Sequence, residues 1–232
     1  MRSIVLRLLA VLALTAAIIP ATALHAKEMP AIVLGGSELA LIGPENHDWL
    51  NKDSQLGLKL APSRYKNVLK HFISLYAAPG GKNIFKPYNN HGGIFYVGPK
   101  SKLWTVEEFA AVKNTLLGPG AGAGEGDQAA RAYLQEFLRE GVGFDLPNRK
   151  TKKYLERIRK AKVLEDGPGS LILAYRHKED GQKDRYVVLS LTLLRGKLLG
   201  TAYYQFAPGK KERKRADELT LAWQQALTQA HI

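Results

Sequence analysis

The chain contains no cysteine. That absence excludes a disulfide framework, a thiolate metal site and a lipid-modified N-terminal cysteine, so stability must come from packing and hydrogen bonding alone. Acids are also scarce: 21 Asp and Glu stand against 34 Lys and Arg, for a formal net charge of +13. No close pair of carboxylates suggests glycoside hydrolysis. Long apolar runs are missing as well. The one candidate, residues 8–19, is too short to cross a hydrocarbon layer of about 30 Å, and Pro20 breaks its far end.

What is present begins at the N-terminus. Met1, Arg2 and Arg7 supply a short positive start to the apolar run, and Ala21-Thr22-Ala23 and Leu24-His25-Ala26 follow as two small-residue exit sites. This is the layout of a secretory signal peptide over residues 1–26, with cleavage after Ala23 or Ala26. The expectation is therefore an exported chain, periplasmic or secreted, that is not an integral membrane protein once cleaved. Residues 27–232 suit a single α+β domain.

Within that domain, residues 31–34, 39–42 and 56–60 are short apolar runs set among turn formers and are read as strands and loops. Residues 68–78 mix helical spacing with β-branched and aromatic content, and strand is preferred; residues 94–97 form a further strand. Trp104-Thr105-Val106-Glu107-Glu108-Phe109 carries the clearest local signal. Thr105 and Glu108 can cap each other's amides while Trp104 packs on Phe109, so a helix begins near Thr105, with Phe109, Val112 and Leu116 on one face. A second helix is expected from Asp127 to Gly141. Between them, residues 118–126 form a glycine-rich flexible connector that lacks the order of a phosphate-binding loop.

The last third reads as a three-strand antiparallel meander over residues 170–177, 185–194 and 198–206, with turns at Asp180-Gly181 and Gly196-Lys197. Val187, Leu189, Leu191 and Leu193 alternate with Ser190 and Thr192, which predicts one better buried face. A final helix beginning near Ala216 is expected to cover it, with Leu219, Trp223, Ala226 and Leu227 as its apolar stripe.

Catalytic signatures are thin. Ser63-Arg64-Tyr65-Lys66 matches SxxK, in which a desolvated Lys66 could take the proton of Ser63 for acyl transfer, and Tyr88-Asn89-Asn90 matches YxN; no KTG accompanies them. His47, His71, His91, His177 and His231 are scattered, with no HExxH. Neither a metal nor another cofactor is expected.

Charge is the strongest functional signal. Arg149, Lys150, Lys152, Lys153, Arg157, Arg159, Lys160 and Lys162 crowd one segment around the single acid Glu156, and Lys210, Lys211, Arg213, Lys214 and Arg215 crowd another around Glu212. Clusters of this kind suit an anionic lipid or glycan; nucleic acid is not an expected partner after export.

The sequence Leu194-Arg195-Gly196-Lys197-Leu198, the Tyr203-Tyr204 strand and the helix bearing Trp223 together resemble exported bacterial proteins of unassigned function and, more distantly, the PsbP-like α/β/α sandwich. The resemblance covers residues 162–230 and is topological. It implies an antiparallel sheet between helices and a non-enzymatic accessory or binding module, and it transfers no functional residue. The leading expectation is such a module in contact with an envelope protein. The alternatives are a binder of anionic lipid or glycan through the two basic clusters, and a serine acyl-transfer enzyme using Ser63 and Lys66.

Overall fold

Two long strands that pair along their whole length form the centre of the molecule. The computed structural model describes residues 31–50, 72–78, 90–117, 158, 160–177, 184–206 and 208–232. In chain order these give β1 (Ile32–Leu34), β2 (Ser37–Leu39), β3 (Asp48–Leu50), β4 (Phe72–Ala77), β5 (His91–Tyr96), α1 (Val106–Leu117), β6 (Lys162–Asp166), β7 (Ser170–His177), β8 (Arg185–Leu194), β9 (Lys197–Phe206) and α2 (Lys210–Gln229). Strands β1 and β2 form a hairpin of their own, and the other seven make one sheet in the order β3-β4-β5-β9-β8-β7-β6, every neighbouring pair antiparallel. The expected leader, the connector at 118–126 and the helix expected from Asp127 lie outside the described residues.

The meander forms as expected and gains a fourth strand, β6, whose charged sequence gave no alternating signal. Its ladder with β7 shifts register between Val163 and Glu165, and among the described residues β6 is the outermost strand on that side. The β8–β9 turn falls one residue earlier than predicted: Leu194 pairs with Lys197, and the two loop residues are Arg195 (φ 47°) and Gly196 (φ 73°). Positive φ at both loop positions matches the right-handed twist of the flanking strands, and glycine reaches it without a Cβ penalty.

Helix α1 begins as its sequence dictates. The Thr105 amide donates to Glu108 Oε2 at 2.9 Å, and the Glu108 amide donates to Thr105 Oγ1 at 3.2 Å. Trp104 and Phe109 share one core with Val112, Leu116, Ile158, Leu171, Leu173, Val187, Leu189 and Leu191. Helix α1 therefore covers the apolar face of β7 and β8.

Helix α2 corrects two expectations. It starts at Lys210, six residues before Ala216, so the second basic cluster is helical rather than a flanking loop. It also packs on the opposite face of the sheet, the one bearing Ser190 and Thr192. There Thr192 Oγ1 donates to Gln224 Oε1 at 2.5 Å, Gln224 Nε2 donates to Thr201 Oγ1 at 2.9 Å, and the Ser190 and Thr201 hydroxyls lie 2.6 Å apart. Both faces of β8 are consequently buried along most of its length.

The β1–β2 hairpin closes the second core, in which Leu34, Leu39 and Leu41 pack with Tyr76, Ile94, Leu199, Trp223 and Leu227. The indole Nε1 of Trp223 donates to the Ile42 carbonyl at 2.5 Å. Beneath Trp223 the strand is glycine: a Cβ built on Gly92 would meet the indole at 3.1 Å and Tyr203 at 3.3 Å. Among the described residues no helix is long and apolar enough to cross a membrane.

Candidate functional site

The first six residues of α2 are Lys210, Lys211, Glu212, Arg213, Lys214 and Arg215. All are exposed except Arg213, which is half-buried and donates from Nη1 to the Pro208 carbonyl at 3.2 Å. A helix N-terminus carries unpaired N–H groups and partial positive charge, so each cation there is disfavoured by a few tenths to about 1 kcal/mol at low salt. Gly209 precedes the helix and provides no side-chain cap. The exposed Lys214–Glu218 pair, at 3.6 Å, offsets little of that cost, since such pairs contribute roughly 0.3–0.5 kcal/mol.

Immediately after the cations, the chain turns an acid inward. Asp217 is 8% exposed, its Oδ1 accepts from the Tyr186 hydroxyl at 2.7 Å, and its Oδ2 lies 3.2 Å from Lys162 Nζ. Burial is the main cause that raises the Tyr186 phenol far above its ordinary range, followed by the hydrogen bond and charge of Asp217, with Arg213 opposing. Burial likewise pushes Tyr203 up to about 12, against the opposing charge of Arg215. Both phenols are neutral hydrogen-bonding groups at physiological pH.

The Lys162–Asp217 contact matters for the charge pattern. Lys162 opens β6, on the far edge of the sheet from β3, and the exposed Lys160 precedes it. Through Asp217, 55 residues away in sequence, the end of the first basic cluster meets the helix that carries the second. Lys160, Lys162, Lys210, Lys211, Lys214 and Arg215 are all exposed. The remaining members of the first cluster, Arg149, Lys150, Lys152, Lys153, Arg157 and Arg159, lie outside the described residues, as do Ser63 and Lys66.

Among the described residues, His47 and His91 do not converge. His91 stacks on Tyr204 with centroids 4.9 Å apart, whereas His47 places Nε2 3.3 Å from the Tyr203 hydroxyl and Nδ1 2.8 Å from the Glu45 carbonyl. Tyr203 and Tyr204 are consecutive in β9 and face opposite ways, so these two histidines sit on opposite sides of the sheet. Among the described residues no three His, Asp or Glu side chains are grouped so as to hold a metal ion.

Asp217 and Tyr186 escaped the reading of the sequence. The available signal was an acid two positions behind the last of five cations and adjacent to Ala216. Comparison with family models, curated proteins and solved structures gives no match.

Proposed function

We propose that the protein is an exported, non-enzymatic binding module that docks on an anionic surface, lipid or glycan, through a composite basic face made by the start of α2 and the start of β6. The observation that carries this reading is the Lys162–Asp217 contact, which unites two charge clusters that are far apart in the chain. Its support is energetic: the cations of α2 stand where the helix dipole disfavours them, and an anion placed against them offsets that cost. The leader-like residues 1–26 support the exported address. The arrangement of helix, antiparallel sheet and helix is what supports assignment to the PsbP-like sandwiches.

The test is binding of the mature chain to vesicles of phosphatidylglycerol and phosphatidylcholine, with an acidic polysaccharide as the second arm. Each cation near an anionic membrane contributes roughly 1 kcal/mol, so Lys210→Gln, Lys211→Gln, Lys214→Gln and Arg215→Gln together should weaken vesicle binding by two to three orders of magnitude. Wild-type binding should fall steeply with added salt. Binding to neither arm, or binding that ignores salt, would refute the reading; preference for one arm identifies the surface.

A further inference from the structure

Helix α2 is not seated on its most apolar side. Successive residues of a helix turn by about 100°, and on that wheel Ala216, Leu219, Ala222, Trp223, Ala226 and Leu227 share one stripe. The residues that go under are Ala216, Asp217, Thr220, Trp223, Gln224 and Leu227. The centre of this buried arc lies roughly 80° from the centre of the apolar stripe. Leu219, Ala222 and Ala226 are left only half-buried, while Thr220 is 0% and Gln224 3% exposed.

Hydrogen bonds account for the offset. Gln224 spans two strands at once, accepting from Thr192 on β8 and donating to Thr201 on β9, and Thr201 is bonded in turn to Ser190. About two turns toward the N-terminus, Asp217 accepts from Tyr186 on β8. A buried amide left without these partners is costly, whereas an apolar contact tolerates a range of rotations, so the polar side chains decide the setting.

We infer that Gln224, with Thr192, Thr201 and Ser190, is a rotational key for α2 that determines which cations face outward. In the observed setting the direction opposite the buried arc is held by Lys211, Lys214, Arg215 and Glu218, all exposed. Seating on the apolar stripe would swing Arg215 toward the sheet. The consequence for binding rests on the reading of the basic face as an anion-docking surface; the rotational setting itself does not. These four are positioning residues and none touches the ligand.

The test uses a chain without native thiols, in which Leu219→Cys is a unique labelling site. Ser190→Ala, Thr192→Val, Thr201→Val and Gln224→Leu together remove the key while leaving the net charge unchanged. With maleimide, the Leu219→Cys site should label at least fivefold more slowly in this variant, since one hydrogen bond gives roughly that factor of preference for the observed seat and the variant removes three. The variant should also bind phosphatidylglycerol vesicles at least several-fold more weakly than wild type, without a fall in thermal midpoint. Thr201→Ser, which retains the hydroxyl, should label at the wild-type rate. If the fourfold variant does not fold, Gln224→Met alone, which preserves the Ser190–Thr201 bond, carries the same expectation. An unchanged labelling rate in a folded variant overturns the inference. Failure of the wild type to bind vesicles instead overturns the docking function and leaves the labelling result to judge the key.

Discussion

The hydroxyl of Tyr186 donates to Oδ1 of Asp217 at 2.7 Å, joining strand β8 to helix α2 in a setting where both residues are buried. Hydrogen bonds to a charged partner contribute more than neutral ones, and without Tyr186 the buried carboxylate would keep only the exposed Lys162 as compensation for lost water. Tyr186→Phe should therefore lower the unfolding free energy by about 2 kcal/mol. Denaturant titration should show the midpoint moving with the slope unchanged.

A second expectation concerns acid. The Glu108 carboxyl is held below its ordinary range chiefly by the Lys102 ammonium that hydrogen-bonds it, and next by the Thr105 amide of the capping box. A depressed folded pKa means that the unfolded chain binds the proton more readily. The stabilisation from Glu108 is thus complete above the usual glutamate range and is lost as pH falls through the lower folded value. Glu108 is half-buried at the surface and screened by solvent, so the effect is small. Comparing stability at pH 6 and pH 3, Glu108→Gln should reduce the difference, and Thr105→Ala should cost about 1 kcal/mol at neutral pH.

Alkali should act in the opposite sense. Tyr203 is raised to about 12 by burial, so the folded state retains a proton that the unfolded chain releases near 10. Stability from this group is full below the unfolded value and falls as pH rises from there toward 12. Ultraviolet titration should find Tyr203 and Tyr186 still protonated when exposed phenols have ionised, and Tyr203→Phe should shift the alkaline unfolding midpoint upward.

Lys197 provides a fourth test. It is 2% exposed, and its ammonium donates to the carbonyl oxygens of Lys100 and Lys102 at 2.9 and 3.0 Å. Lys197→Met keeps the aliphatic stem and strands both carbonyls, a change expected to cost about 2–3 kcal/mol. Hydrogen exchange should accelerate in residues 99–104 and at the start of α1 before it does in β8.

Features written in neighbouring residues were legible in the sequence. The Thr105–Glu108 capping box and the apolar face of β8 need only residues a few positions apart, and both form. The alternation also predicted one better buried face, but instead both faces are buried, because α2 covers Ser190 and Thr192. The expectation that α2 would cover Val187, Leu189 and Leu191 failed because periodicity identifies an apolar face without saying which helix occupies it, and here α1 does. Burial of Asp217, Thr220 and Gln224 was hidden for a related reason. Asp217 and Gln224 go under because hydroxyls on β8 and β9, far off in the chain, wait for them. Strand β6 was missed because Lys162, Glu165 and Asp166 look like loop. Of the candidate site, the cations were visible, but their meeting through Asp217 was not.

That same charged strand has a bearing on solution behaviour. Open backbone groups along an outer strand can template the addition of a neighbour's strand. Along β6 the register shift between Val163 and Glu165 interrupts the ladder, and Lys162, Glu165 and Asp166 put hydrated charge on a strand that an added neighbour would have to desolvate. A second molecule approaching this rim meets broken spacing and hydrated charge, so crowding the protein at high concentration should not draw it into fibrous stacks from this side.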